Sequence, residues 1–302
     1  MKMSWKSLAW SAAAVLLLLT LVTPLNAITL FLVMTPFVVL YTMLDLRSFV
    51  VHLVPIGLVV FLLSGGGLGT MLVTLALYFL VPAIAMGHLY KRGRSARSAV
   101  TAGFVIVLAQ MLLVLALFSA LSNIDMKAEL TAILADNFKQ FETANLFEAG
   151  WAANAATQFV DYFMTILPML LLVSSFLVAI ITHGLSRLSL RSVPFDAPAL
   201  PQAKTWKLPR SMVLYFAIAI IAMYAMSEES SGYWWIAVSN LIPILELAFT
   251  IQAIGFVFFL TSVKKWPRAI SLLLCLPILF IPHAFIIGLL DTAFPIRKYF
   301  EK

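Results

Sequence analysis

Residues 233–263 read YWWIAVSNLIPILELAFTIQAIGFVFFLTSV. In this stretch Glu246 is the only acidic or basic side chain. About 20 mostly apolar residues carry a helix across the ~30 Å hydrocarbon core of a bilayer, so this segment is long enough to span. A lipid-facing strand would alternate apolar and polar residues, and none of that alternation is present. An open sheet edge in lipid would leave backbone groups unsatisfied. The stretch therefore predicts a membrane helix.

Eight further apolar runs flank it: Leu8–Val22, Ala27–Leu44, Phe49–Leu63, Leu68–Tyr90, Ala99–Leu121, Tyr162–Leu185, Ser211–Met226 and Ala269–Leu290. The whole chain is 63% hydrophobic and 11% charged, against roughly 45–50% and about 25% in soluble domains. This excludes a soluble globular fold, and the high hydrophobicity excludes intrinsic disorder. The predicted fold is an all-α polytopic transmembrane bundle of about nine, alternatively eight, membrane helices plus one external amphipathic helix. The lysines before Leu8 do not make a cleaved signal, because no small-residue cleavage site follows. The first run is read as a retained span.

The charges orient the chain. Lys2 and Lys6, then Lys91, Arg92, Arg94 and Arg97, then Arg187, Arg191, Lys204, Lys207 and Arg210, then Lys264, Lys265 and Arg268 fall on one side if each run crosses once. Asp125, Glu129, Asp136, Glu142, Glu148, Asp161, Glu228 and Glu229 fall on the other. The positive-inside rule then puts the N-terminus in the cytoplasm and residues 122–160 outside. The net charge of +7 serves orientation and not nucleic-acid binding. Pro277 and Pro282 interrupt the ninth run. If that run crosses, Arg297 and Lys298 lie outside, against the rule; if it re-enters, the count falls to eight.

Within 122–160, Leu130, Ile133, Leu134, Phe138 and Phe141 recur at helical spacing, which predicts an amphipathic helix on the outer surface. Pro194, Pro198, Pro201 and Pro209 make residues 191–210 a semi-rigid cytoplasmic linker. Residues 1–302 read as one integral membrane domain, with a six-run part over 1–190 and a three-run part over 211–302.

An ionisable residue inside a span is costly unless paired or wet, so each is a candidate for function. Glu246 is deepest, with Asn240 six residues before, Gln252 six after, and Pro243 one turn upstream. These residues are candidates for a polar pocket or cation site. His283, on the broken segment, and Asp291, at its end, complete the candidate binding set. His52, His88, His183 and His283 are too widely separated for a metal-ligand pattern. The lone Cys275 gives neither an intrachain disulfide nor a cysteine metal site. Asp45 and Arg47 flank a turn and are read as an anchoring pair. Residues 64–69, SGGGLG, lack the Gly-Lys-Ser/Thr ending of a phosphate loop and are read as a tight turn. No catalytic constellation is present, and neither metal nor cofactor is expected. Ala9 with Ala13, and Ala83 with Gly87, are small-residue pairs that let a neighbouring helix approach closely.

Pro36-Phe37-Val38-Val39-Leu40-Tyr41, Gly87-His88-Leu89-Tyr90-Lys91 and the ending Gly288-Leu289-Leu290-Asp291-Thr292-Ala293-Phe294-Pro295-Ile296-Arg297, after an alanine-rich first run, resemble the YybS family of bacterial integral membrane proteins. That resemblance covers nearly the whole chain and implies a bacterial inner membrane location, with no established activity. The family is distantly similar to the substrate-binding components of energy-coupling-factor transporters. There an Ala-x-x-x-Ala pattern in the first helix docks the coupling subunit, and Ala9 and Ala13 occupy the matching place. Those components usually have six helices, fewer than this chain. The expected function is binding or transport of an unknown small molecule. Its partners would be the lipid bilayer and an energy-coupling module or other membrane proteins. The alternative is a scaffold recruiting partners in envelope growth or sporulation through the basic loop 187–210.

Overall fold

The computed structural model describes residues 4–121, 124–144, 146–226 and 232–300. Lys2, Glu228 and Glu229 of the charge pattern lie outside the described residues. The regular elements described are all helical. In chain order they are α1 (Trp5–Thr20), α2 (Asn26–Leu32), α3 (Met34–Met43), α4 (Leu46–Ser64), α5 (Gly66–Lys91), α6 (Ala96–Leu121), α7 (Met126–Thr143), α8 (Trp151–Leu190), α9 (Ser211–Ala225), α10 (Tyr233–Val263), α11 (Arg268–Phe280), α12 (Phe285–Ala293) and α13 (Arg297–Phe300). A 3-10 turn, Ala203–Thr205, sits in the linker.

Every apolar run is helical, but nine full-length crossings are not reached. Six helices are long and apolar enough to span: Asn26–Met43 (α2 and α3, joined at Val33), α4, α5, α6, α8 and α10. At 16 and 15 residues, α1 and α9 fall short of the usual length. The ninth run is two helices, α11 and α12, bent by 108°. Pro277 lies inside α11. The break falls at residues 281–284, where His283 takes a φ of 65°. At forty residues, α8 begins well before Tyr162. Its length of about 60 Å is twice the hydrocarbon core. Hydropathy marked only the part that fits in lipid.

The chain divides into two compact units, residues 1–123 with 171–200 and residues 124–170 with 201–302. The segment 124–170 thus groups with the C-terminal part.

In the first unit α3 is buried on all sides, with Met34, Phe37, Val38, Val39 and Leu40 inaccessible. A helix apolar all round belongs in a core. It packs against α1 and α5, and α5 in turn against α4 and α6. Basic side chains tie one end together: Lys6 Nζ donates to the Ser192 carbonyl and Lys91 Nζ to that of Leu44 at 2.6 Å. Nearby, the His52 ring lies 3.0 Å from Ser7 Oγ, and His183 Nδ1 lies 2.6 Å from the Tyr90 hydroxyl. Asp45 caps α4, accepting from the Ser48 hydroxyl and amide. No ion pair joins it to Arg47 among the described residues. The Ser48 bonds hold the Asp45 carboxyl below the usual carboxylate range. The turn into α5 needs Gly65, whose φ of 74° suits glycine.

In the second unit α7 has no fully buried residue, as expected of a surface amphipathic helix. Phe138 and Phe141 meet Trp151 at the start of α8. Glu142 Oε1 accepts from Ala152 N–H at 2.6 Å, satisfying a first-turn donor of α8. A hydrogen bond to Asp161 holds the Lys127 ammonium above its ordinary pKa.

At the centre α10 is flanked by α9, α11 and α12. Phe216 of α9 packs edge-on against Phe249 and Phe285. After the bend, α12 lies against α10, and beyond it Arg297 and Phe300 lie beside Phe259 and Phe256. The ninth run therefore turns back after its bend, so that α12 lies along α10. The closest approach is at Gly288. A Cβ there would sit 1.8 Å from the Phe249 carbonyl oxygen, where no atom fits. Gly288→Ala is expected to push α12 off α10 and lower stability by about 1–3 kcal/mol. Gly184→Ala, on an open face of α8, should be neutral or raise stability by up to about 1 kcal/mol. Thermal unfolding of the detergent-solubilised chain compares the two.

Candidate functional site

The polar residues of the second unit are positioned by interruptions in its helices. After α12, Phe294 is extended, as the residue before Pro295 must be. The turn brings Arg297 back to Asp291. Arg297 Nε lies 3.0 and 3.1 Å from the two carboxylate oxygens, and Nη2 lies 2.6 Å from Oδ2. Gln252 Nε2 donates to the same Oδ2 at 2.5 Å. The Asp291 side chain is inaccessible and that of Arg297 is 12% exposed.

The network extends into irregular backbone of the linker. Arg297 Nη1 and Nη2 donate to the carbonyls of Lys204 and Trp206, each at 2.8 Å. Gln252 Oε1 accepts from Leu208 N–H at 3.0 Å. Three backbone groups without helical partners are thereby satisfied. Gln252 and Asp291 meet, but their polar atoms are taken up within the chain.

Asn240 is separate from that network. Its Oδ1 accepts from Met169 N–H at 2.8 Å and its Nδ2 donates to the Thr165 carbonyl at 2.7 Å. A regular helix pairs those two groups with each other. Beside Pro168, the Asn240 amide stands in the α8 ladder instead.

Glu246 is half-buried near the middle of α10. Its carboxylate has no hydrogen bond or ion pair among the described residues, and only its backbone carbonyl is engaged, by Thr250. Two turns earlier, on the same face, the buried Ser239 Oγ also has no partner. Pro243 deprives the Ser239 carbonyl of its usual donor. One face of α10 thus carries a buried hydroxyl and a carboxylate without side-chain partners among the described residues, about 10 Å apart. His283 is exposed at the bend beside Phe285 and is not hydrogen-bonded to Glu246 or Asp291.

In the first unit Ala9 is exposed and Ala13 half-buried, away from the buried face Ser7, Ser11, Ala14 and Leu18. The other small pair serves the interior. A Cβ at Gly87 would come within 2.7 Å of the Tyr41 ring, and Ala83 is inaccessible. Among the described residues no group of three or more His, Cys, Asp or Glu could hold a metal ion.

A family model described as a predicted membrane protein (DUF2232) matches residues 11–292. The chain belongs to that family. It is 26% identical over 231 residues to the Uncharacterized protein YybS of Bacillus subtilis (strain 168), covering 71% of this chain and 72% of that one. No solved structure matches. The matched region includes residues 36–41, 87–91 and 288–292 of the segments that carry the family resemblance, and these supply contacts. Gly87, Tyr90 and Lys91 make the α3–α5–α8 contacts of the first unit, while Gly288 and Asp291 anchor α12 to α10.

Sequence reading missed Arg297 as a member of the site, and Ser239. The signal for the first was Pro295 between an acid and a base six residues apart; for the second, the position four residues before a helical proline. Arg297→Ala leaves a buried carboxylate without its cation and is expected to cost about 3–5 kcal/mol. The double variant Asp291→Asn with Arg297→Gln should cost less than the single one, because no lone charge remains. Chemical unfolding of the three proteins measures the order.

Proposed function

We propose that this is a multi-pass protein of a bacterial inner membrane that binds or transports a small solute, and that Glu246 is the group that meets it. The observation that carries this reading is the unpartnered carboxylate itself. An ionised side chain at mid-span costs about 3 kcal/mol or more unless something compensates it, and no side chain among the described residues does. The Ser239 hydroxyl on the same face offers a further hydrogen-bonding group. A cationic or donor-rich solute fits this set.

The proposed topology has eight crossings, α1, α2–α3, α4, α5, α6, α8, α9 and α10, with α11–α12 re-entrant and both termini cytoplasmic. The tail beside α10 supports it, since Arg297 and Lys298 then join Lys264, Lys265 and Arg268 on the basic side. On α1, the exposed Ala9 and the half-exposed Ala13 leave a shallow surface for a partner helix, such as one from an energy-coupling module.

The solute reading is tested by thermal stability of the full chain in detergent with sodium chloride, spermidine, thiamine and simple amines as probes. At a hundredfold excess over Kd a true ligand stabilises by about 2.7 kcal/mol, and Glu246→Gln should abolish the response. No response to any probe in the wild type, or an unchanged response in Glu246→Gln, contradicts the assignment. For the topology, Lys298→Cys in a Cys275→Ser background should react with a membrane-impermeant maleimide only from the cytoplasmic side. Labelling from outside intact cells refutes the re-entrant ending.

A further inference from the structure

At the end of the second unit, well away from Glu246, lies a cleft of about 540 Å³. Gln202, Lys204, Ser262, Lys265, Trp266 and Arg268 line it, and no acidic residue among the described residues does. Lys204 Nζ lies 3.4 Å from Ser262 Oγ. The Lys265 and Arg268 side chains make no hydrogen bond or ion pair among the described residues. Beneath them the Thr261 and Ser271 hydroxyls, 2.7 Å apart, join α10 to α11.

Two further features point the same way. Lys265, just past the C-cap of α10, has a φ of 56°, in the position where helices usually place glycine. A lysine there keeps a cation at the cleft at a backbone cost that glycine avoids. The N-terminus of α11 also opens here, at Arg268, with no side-chain cap on its first amides. Free amides and the positive end of the helix dipole favour an anion. Outside the cleft, Leu272, Leu273 and Leu276 are exposed along α11, an apolar track starting at the same point.

We propose that this cleft binds the phosphate of an anionic phospholipid, with Lys204, Lys265 and Arg268 on the headgroup and the α11 leucines along an acyl chain. A soluble phosphate compound shares the headgroup chemistry but has nothing to lay on α11. The site is independent of Glu246.

The test uses the full chain in a neutral maltoside detergent. Binding of phosphatidylglycerol, phosphatidylcholine and glycerol 3-phosphate is read by native mass spectrometry and by titration at two salt concentrations. Phosphatidylglycerol should bind in preference to the other two, and more weakly at high salt. Lys265→Gly and Arg268→Gln should each weaken it by about fivefold, the worth of one cation near an anionic surface. Lys265→Gly should also keep or raise the unfolding temperature, because glycine suits that φ; lost binding then cannot be ascribed to misfolding. Lys207→Gln, outside the cleft, and Glu246→Gln should leave lipid binding unchanged. Wild-type affinity in both cleft variants, or an equal loss in Lys207→Gln, overturns the proposal. Glycerol 3-phosphate binding as tightly as phosphatidylglycerol overturns the lipid assignment.

Discussion

One carboxylate oxygen, Oδ2 of Asp291, accepts from both Arg297 and Gln252, and most of the second unit's arrangement hangs on that junction. It fastens the segment after the bend onto α10. Through Arg297 it also satisfies two carbonyls of the irregular linker, and through Gln252 an amide. The reason is the solvent. Water is scarce beside a bilayer span, so backbone outside a helix must find partners inside the protein. A guanidinium with its fork of donors can serve a carboxylate and two carbonyls at once.

The same requirement explains Asn240. Where Pro168 disturbs α8, a carboxamide supplies both a donor and an acceptor to the two groups left facing it. Asn240, Gln252 and Asp291 thus look like ligand-binding residues in one dimension and act as internal partners in three. What remains after that accounting is Glu246 with Ser239, whose groups no neighbour takes up among the described residues. In the first unit the buried side-chain oxygens of Thr35, Ser64, Gln110, Thr182 and Ser186 likewise have no partner among the described residues.

Much of the architecture was legible in the residues. Each apolar run is helical, the amphipathic pattern of 130–141 is α7, and Gly65 in the 64–69 stretch makes the turn between α4 and α5. The forty-residue length of α8 was not legible, because residues 151–161 are polar enough to leave a hydropathy window while remaining helical. Nor was the count of crossings. Pro277 and Pro282 signal irregularity equally well, yet only the second lies at the bend. At the candidate site, spacing along α10 found Glu246 and Gln252 but gave no means of telling an engaged amide from a free carboxylate.

Composition, charge pattern and helical period by themselves determined that this is an all-helical membrane protein, which segments are apolar, and which loops carry the positive charge. These are properties of a residue and its near neighbours in lipid, and they need no fold. Tertiary structure alone decided that the ninth run turns back, that Gly288 must be bare for α12 to reach α10, and that Asp291 is neutralised by Arg297 while Glu246 is not. Those outcomes depend on which distant backbone and side-chain groups come within about 3 Å of one another, a distance that sequence separation does not encode.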